Sequence, residues 1–331
     1  MKAIVCETFG PPETLAQIDL PQPTPDDDSV LVNVHAAGVG FVDGLMVQGL
    51  YQVKPKLPYY PGSEFSGTVV SVGANVSSVE AGQRVFGLSS GGAFADYTCA
   101  NANSVAVIPD QLLLDDATAA GLPINYATAL YGLRDCGHLQ AGETILILGA
   151  AGGVGSAAIA VAKAMGAYVI AGASTPDKRE AALTFGADAA IDYAQENWRD
   201  QVKAAAPDGV NLVYDPVGGE LADPAFRCLS PGGRFLVVGF ASGTIPKLAL
   251  NLALLKRSAI VGVDWGGESR ANPAINQALF STVMTWIESG KLQPAGVERR
   301  AMSEFATALN DQLAGKILGK LVLENTRPKN T

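Results

Sequence analysis

The stretch from Glu143 to Arg179, ETILILGAAGGVGSAAIAVAKAMGAYVIAGASTPDKR, constrains this chain more than any other. Thr144 to Leu148 is a short apolar run rich in Ile and Leu, which reads as a buried strand. From Ser156 to Met165 small and apolar residues recur at helical spacing. Between the two lies AAGGVG, with Ala150 in the first glycine place of a GxGxxG loop, Gly152 in the second and Gly155 in the third. Gly152 lets the backbone approach a pyrophosphate, and Gly155 lets the helix lie close to its strand. Ala151, Gly153 and Val154 complete the loop. The unpaired N–H groups and positive dipole end of the helix that starts there face the phosphates of a dinucleotide. A strand before the glycines and a helix after them distinguish this loop from a plain Gly-rich turn.

The same unit bears on which dinucleotide is held. An NAD site places Asp or Glu about 20 residues beyond the glycines, at the end of the second strand, to hold the ribose 2′-hydroxyl. Here that strand, Tyr168 to Ala173, runs into Ser174 and Thr175, and the next charged residues are Asp177, Lys178 and Arg179. Hydroxyls and two cations suit a 2′-phosphate, so NADPH is favoured over NADH. Asp177 keeps NAD open, and the alternative for Lys178 and Arg179 is a pair of solvated charges in the first turn of the next helix.

Composition excludes several classes. At 331 residues the chain has room for two domains, each with its own core. A hydrophobic share of 48%, a charged share of 17% and 37 Gly suit a soluble α/β enzyme with many tight turns. The formal net charge of −9 and the absence of Lys/Arg runs argue against nucleic acid. Cys6, Cys99, Cys136 and Cys228 lack CxxC spacing, and His35 and His138 are far apart, so the sequence carries no zinc signature and specifies no disulfide. The uncharged run from Thr144 to Ala162 approaches the length of a membrane span. Its glycine-rich centre would leave backbone groups unsatisfied in lipid, so no membrane segment is expected. With Glu7 near the start and no long apolar region, no secretory leader is expected either, and cytoplasm is the default.

Strands are expected at Lys2–Cys6, Val30–Ala36, Phe65–Val72, Gln83–Leu88 and Ala93–Cys99, with loops around Pro11, Pro12, Pro21, Pro23 and Pro25. So many short strands with irregular turns predict a compact, barrel-like β domain. Helices are expected at Asp115–Leu122 and Tyr126–Asp135. From Glu143 strands at 144–149, 168–173, 189–192, 211–214, 233–239 and 259–263 alternate with helices, the doubly wound order with a parallel sheet of about six strands. Further helices are expected at Ser281–Ser289 and Phe305–Leu313, and a last strand, Lys320–Leu323, rejoins the first domain. The expected domains are therefore 1–122 with 268–331, and 123–267. A dimer is expected through Ser258 to Val263 pairing as an edge strand across a two-fold axis.

With these residues in place the chain resembles the zinc-independent NADPH:quinone oxidoreductases, the zeta-crystallin-like family of the medium-chain dehydrogenase/reductase superfamily. The markers span almost its whole length: VHAAGVGFVDGLMVQGLYQ from Val34, PGSEFSG from Pro61, AGQRVFGL from Ala81, LGAAGGVG from Leu148, FGADAAIDY from Phe185 and YDPVGG from Tyr214. The resemblance implies a GroES-like β-barrel catalytic domain plus a Rossmann domain, NADPH in the cleft between them, and commonly a dimer. Zinc-dependent alcohol dehydrogenases of the superfamily carry a ligand Cys where this chain has Gly40 or Phe41 and a ligand His near Ser63; neither ligand is present, and the four-cysteine structural lobe is missing.

By the same resemblance, Tyr193 and Lys178, beside Ser174, contact the 2′-phosphate. Gly152, Gly153 and Val154 form the pyrophosphate loop. Thr128 lies near the nicotinamide end, and Phe240, Val263 and Trp265 close over the nicotinamide. Asp43 and Tyr51 match the family as catalytic candidates. Gly40 stands where many relatives have Asn, and Leu45 replaces a tyrosine seen in some members, which implies a roomier, less polar pocket. The expected chemistry is hydride transfer from NADPH to a quinone or similar carbonyl acceptor without zinc, with Tyr51, a backbone N–H or water stabilising the charge that develops on oxygen. Reduction of activated C=C bonds in enones, enals, haloacrylates or acyl-CoA thioesters is the alternative, with Lys54 and Lys56 a thin candidate for CoA phosphates. From another class, the chain could bind NADPH in a non-catalytic role.

Overall fold

The structure is a computed structural model that describes residues 1–325. The first part of the chain runs through β1 (Lys2–Val5), β2 (Ala16–Asp19), β3 (Ser29–Val39), α1 (Phe41–Val47), β4 (Glu64–Val72), β5 (Arg84–Leu88), β6 (Tyr97–Asn101), β7 (Val105–Val107) and α2 (Asp116–Ala120). The middle contains α3 (Pro123–Leu130), β8 (Thr144–Ile147), α4 (Gly153–Ala164), β9 (Tyr168–Ala173), α5 (Pro176–Thr184), β10 (Ala189–Asp192), α6 (Trp198–Ala205), β11 (Val210–Asp215), α7 (Ala222–Arg227), β12 (Leu229–Val237), α8 (Leu250–Lys256), β13 (Ala259–Gly262) and α9 (Trp265–Ala271). The last part adds α10 (Ala274–Glu288), β14 (Val297–Ala301), α11 (Phe305–Leu313) and β15 (Lys320–Glu324).

Contacts divide the chain into two units. One holds Met1–Ile124, Asn272–Met284 and residues 296–325; the other holds Asn125–Ala271 and Thr285–Ala295. Residues 268–271 and 285–295, expected in the first domain, group with the second unit, where the N–H of Ala295 donates to Tyr126 Oη at 2.8 Å, and residues 123–124 group with the first.

The first unit is built on β3, whose eleven residues pair antiparallel with β4, β6 and β15 in a mixed sheet ordered β14-β15-β3-β4-β5-β7. Val30, Val32, Val34 and Val39 of β3 are buried with Phe65 and Val69 of β4, Val85 of β5 and Leu321 and Leu323 of β15. The expected return of the chain's end to this domain thus takes the form of β15 paired to β3 from Val39 to Ala36. Ala93–Cys99 is not one strand. β6 starts only at Tyr97, because Phe94 accepts the Ile4 N–H and donates its own to Pro61, tying the preceding residues to other segments. The short strands β2, β7 and β14 were not legible; VERRA of β14 carries three charges and no alternation of apolar residues.

The second unit carries a six-stranded sheet, parallel throughout, ordered β10-β9-β8-β11-β12-β13. With β8 counted as the first strand this is the 3-2-1-4-5-6 order of a dinucleotide fold, whose switch point lies beside that first strand. β8, β9 and β11 are buried almost throughout because helices cover both faces, which is why they read as continuous apolar runs. The expected helix Tyr126–Asp135 is α-helical only to Leu130 and continues as a π-turn, Tyr131–Cys136. Within that turn a side chain at Gly132 would press on Val263 Cγ1 and Tyr214 Cε2, at 3.1 and 3.2 Å. The uncharged run Thr144–Ala162 is broken into β8, a loop and α4, and no helix among the described residues is long and apolar enough to cross a membrane.

Candidate functional site

The second unit assembles a loop that fits a pyrophosphate. After β8 the chain turns at Gly149, whose φ of 58° is open to glycine, and Gly152 then caps α4 in extended conformation. As the N-cap, Gly152 has no side chain to cap the first turn of α4, where N–H groups lack intrahelical partners. The two fingerprint glycines differ in what surrounds them. A Cβ on Gly155 would stand 2.3 Å from the Gly149 carbonyl oxygen and 2.7 Å from Ala150 Cα, so only glycine lets α4 pack this close to the strand end. A Cβ on Gly152 would meet only the Gly149 oxygen, at ordinary contact distance, 3.5 Å. Ala150 and Ala151 are buried beneath the loop, while Gly153 and Val154 are half-buried in the first turn.

The residues expected around a 2′-phosphate converge at the ends of β9 and β10. Parallel register sets Asp192 beside Ala173, so the chain leaves both strands together and the next residues are Tyr193 and Ser174. Burial pushes the Tyr193 phenol up, and the neighbouring Ser174 hydroxyl opposes this. Thr175 caps α5 by accepting the Lys178 N–H at 3.3 Å, which brings Lys178 into the first turn beside them. Arg179, the second expected cation, turns away from that cluster to Asp192 at 2.9 Å. That ion pair was missed, because nothing in local spacing ties α5 to β10.

A wall forms at the other end of the same sheet edge. Trp265 at the start of α9 is 7% exposed and Val263 is 8% exposed. Val263 follows β13 and packs against Gly132 of the π-turn, as does the fully buried Tyr214. Phe240 lies over Gly218, where a Cβ would come within 2.9 Å of its ring. Gly218 and Val217 both donate their N–H groups to Asp215 Oδ1 at 2.8 Å, which fixes the YDPVGG turn; burial raises the Asp215 carboxyl and these two donors oppose it. Thr128 is half-buried on α3. The Trp265 Nε1 and Tyr214 Oη atoms are buried with no hydrogen-bond partner among the described residues.

In the first unit, Asp43 sits on α1 and is 2% exposed. Its Oδ2 accepts the Gly40 N–H at 2.7 Å and its Oδ1 accepts the Ser63 hydroxyl at 3.3 Å. Burial pushes this carboxyl up to about 6, against the Gly40 N–H and the Lys320 charge, which pull it down. Burial, then the Asp43 charge, raises the phenol of the neighbouring Tyr59. Below them the ammonium of Lys320 closes on the fully buried Glu64, whose other oxygen accepts the Ile124 N–H at 2.9 Å. Glu64 was legible only within the marker PGSEFSG and Lys320 only as the first residue of the expected strand Lys320–Leu323; a charge at each strand's start was the signal that went unread. Tyr51 lies half-buried in the loop after α1. Asp43 is therefore enclosed by its own hydrogen bonds, which suits a group that positions the Gly40 and Ser63 segments rather than one that meets a substrate.

A mixed catalytic unit and a doubly wound nucleotide unit define an oxidoreductase of the medium-chain type, and comparison with known proteins agrees. Residues 26–110 match the family model "Alcohol dehydrogenase GroES-like domain", and residues 153–282 match "Zinc-binding dehydrogenase". Quinone oxidoreductase-like protein 2 of Bos taurus is 35% identical over 97% of this chain and 92% of its own length. Among solved structures, the Escherichia coli quinone oxidoreductase complexed with NADPH superposes with a TM-score of 0.89 at 26% identity, covering 98% of this chain and all of that one. The CurK enoyl reductase gives a TM-score of 0.87 at 25% identity over 98% of this chain and 99% of its own. The chain belongs to the quinone oxidoreductase family of the medium-chain dehydrogenase/reductase superfamily.

Proposed function

We propose that this chain is an NADPH-dependent reductase of quinones or similar electrophilic carbonyl acceptors that works without zinc. The observation that carries the cofactor reading is the convergence of Ser174, Tyr193 and Lys178 where an NAD site has a carboxylate, together with the open side of Gly152. The Escherichia coli relative, complexed with NADPH, supports it. When bound, NADPH supplies the hydride that the acceptor receives. The chain's part is to hold the pyrophosphate on the α4 N-terminus, hold the 2′-phosphate between the Lys178 ammonium and the Ser174 and Tyr193 hydroxyls, and present Val263, Phe240 and Trp265 as an apolar wall that keeps water from the nicotinamide. Tyr51 donates its phenolic proton toward the acceptor oxygen, and Asp43 holds the Gly40 and Ser63 segments in place.

The donor set does not fit a catalytic zinc. Structural and catalytic zinc sites are built from thiolate, imidazole and carboxylate ligands. Gly40, Phe41 and Ser63 offer no thiolate or imidazole, and the neighbouring carboxylates are engaged: Asp43 by Gly40 and Ser63, Glu64 by Lys320. The CurK likeness favours a second reading, reduction of activated C=C bonds. Following the near-ultraviolet absorbance of NADPH against matched quinones and activated alkenes separates the two; turnover with alkenes alone overturns the quinone reading.

We also infer a homodimer. β13 forms an outer edge of the six-stranded sheet, and Ile260 on it is 40% exposed, while Leu250, Leu254 and Leu255 of α8 are 73%, 78% and 74% exposed. An open apolar strand edge is a template for a second copy. Light scattering that gives a monomer mass overturns this.

A further inference from the structure

We propose that Arg179 sets the preference for a 2′-phosphorylated dinucleotide by acting through Asp192, as a specificity-determining positioning residue rather than a phosphate ligand. The proposal rests on the NADPH reading above. Asp192 is the last residue of β10 and pairs with Ala173 of β9, so the next residues, Tyr193 and Ser174, lie side by side in the cluster assigned to the 2′-phosphate. Consecutive Cα atoms lie about 3.8 Å apart, so the Asp192 carboxylate falls within roughly one Debye length of that phosphate. An uncovered carboxylate at this end of the sheet has two effects. It repels a dianionic phosphate, and it offers the kind of acceptor that NAD sites use for a ribose hydroxyl.

Arg179 covers it. Nη1 of Arg179 lies 2.9 Å from Asp192 Oδ2, with the two side chains only 22% and 18% exposed, so solvent screens the pair poorly. That nitrogen is buried and is not aligned on any acceptor as a hydrogen bond among the described residues, so its contribution is charge rather than direction. Other groups hold Asp192 in position. Its Oδ1 accepts the Ala194 N–H at 3.0 Å, its Oδ2 accepts from Gln195 Nε2 at 3.5 Å, and its own N–H donates to Gln201 Oε1 at 3.0 Å. Removing the guanidinium therefore leaves the carboxylate in place and exposes its charge to the incoming phosphate. Lys178, next to Arg179 in the same first turn, remains available to the phosphate itself.

The test is calorimetric titration of 2′,5′-ADP and 5′-AMP into the wild type, R179Q, R179K, D192N and the double variant R179Q/D192N. The expected result is that R179Q weakens 2′,5′-ADP by roughly ten-fold while holding 5′-AMP at least as tightly as the wild type does, whereas R179K and the double variant bind both nucleotides like the wild type. Unchanged 2′,5′-ADP binding in R179Q, an equal loss for both nucleotides, or no recovery in R179Q/D192N overturns the proposal. If R179Q does not fold, D192N against the wild type and R179K still decides: D192N is expected to hold 2′,5′-ADP at least as tightly as the wild type, and a loss contradicts it. A wild type that binds 5′-AMP as tightly as 2′,5′-ADP removes the NADPH reading as well, whereas a wild-type preference that survives intact in R179Q removes only the role of Arg179.

Discussion

The Asp43 carboxylate accepts the backbone N–H of Gly40 at 2.7 Å from inside the catalytic unit, where the side chain is 2% exposed. Burial raises this carboxyl to about 6. The folded state thus holds the proton more tightly than the unfolded chain does, and stability falls as pH rises from the ordinary carboxylate range through about 6. Asp43→Asn keeps the acceptor for Gly40 and removes the charge. Its melting temperature is expected to match the wild type at acidic pH and to exceed it above that window, by an amount equivalent to about 2–3 kcal/mol. Thermal melts of both proteins across this pH range check it; parallel profiles would contradict it.

Gly152 and Gly155 separate binding from folding. Gly155→Ala forces a methyl against the backbone of Gly149 and Ala150, so it should lower stability by about 2 kcal/mol or more and abolish dinucleotide binding with it. Gly152→Ala meets nothing but one oxygen at ordinary contact distance and adopts an unstrained φ of −83°. It should melt like the wild type and still bind NADPH more weakly, because its methyl occupies the approach of the pyrophosphate. Equal melts and equal NADPH affinity for both variants would contradict the loop assignment.

For Tyr51→Phe the expectation is a fall in kcat of about 100-fold, in the range that general acid catalysis contributes, with the dissociation constant for NADPH unchanged. Steady-state kinetics beside a binding titration measures both. Unchanged kcat would assign the proton to water or to a backbone donor.

Tyr214→Phe tests the packing around Gly132 of the π-turn. The Tyr214 hydroxyl is fully buried without a partner among the described residues, so deleting it should be neutral or add about 1 kcal/mol of stability. Chemical denaturation decides; a loss of more than about 1 kcal/mol would mean that the hydroxyl is satisfied by ordered water.

Much of this was readable from residues. β9 and β10 occupy the expected bounds, and α11 does too, because each pairs a clean apolar period with a Gly, Pro or Asp boundary. The phosphate loop was readable because its glycines serve local geometry. What escaped is what only the tertiary structure brings together. α1 hides in a Gly-containing segment, FVDGLMV, whose Gly44 exists to let Leu313 of α11 approach. The Arg179–Asp192 pair joins a helix to the strand that follows it, and the Lys320–Glu64 pair joins residues 256 positions apart in the chain. Asp43 was identified by resemblance as catalytic, but its burial and its two hydrogen bonds were invisible until α1, Gly40 and Ser63 were placed.

NADPH-dependent, zinc-independent reduction of a quinone is decided by steady-state oxidation of NADPH and NADH with one quinone acceptor, before and after treatment with a strong chelator. The expected kcat/KM for NADPH is at least about ten-fold above that for NADH, the difference that one well-placed charged contact supplies, with no change on chelation. Equal use of NADH would contradict the roles of Ser174, Tyr193 and Lys178. Activity lost to the chelator and restored by zinc would contradict the reading of Gly40, Phe41 and Ser63.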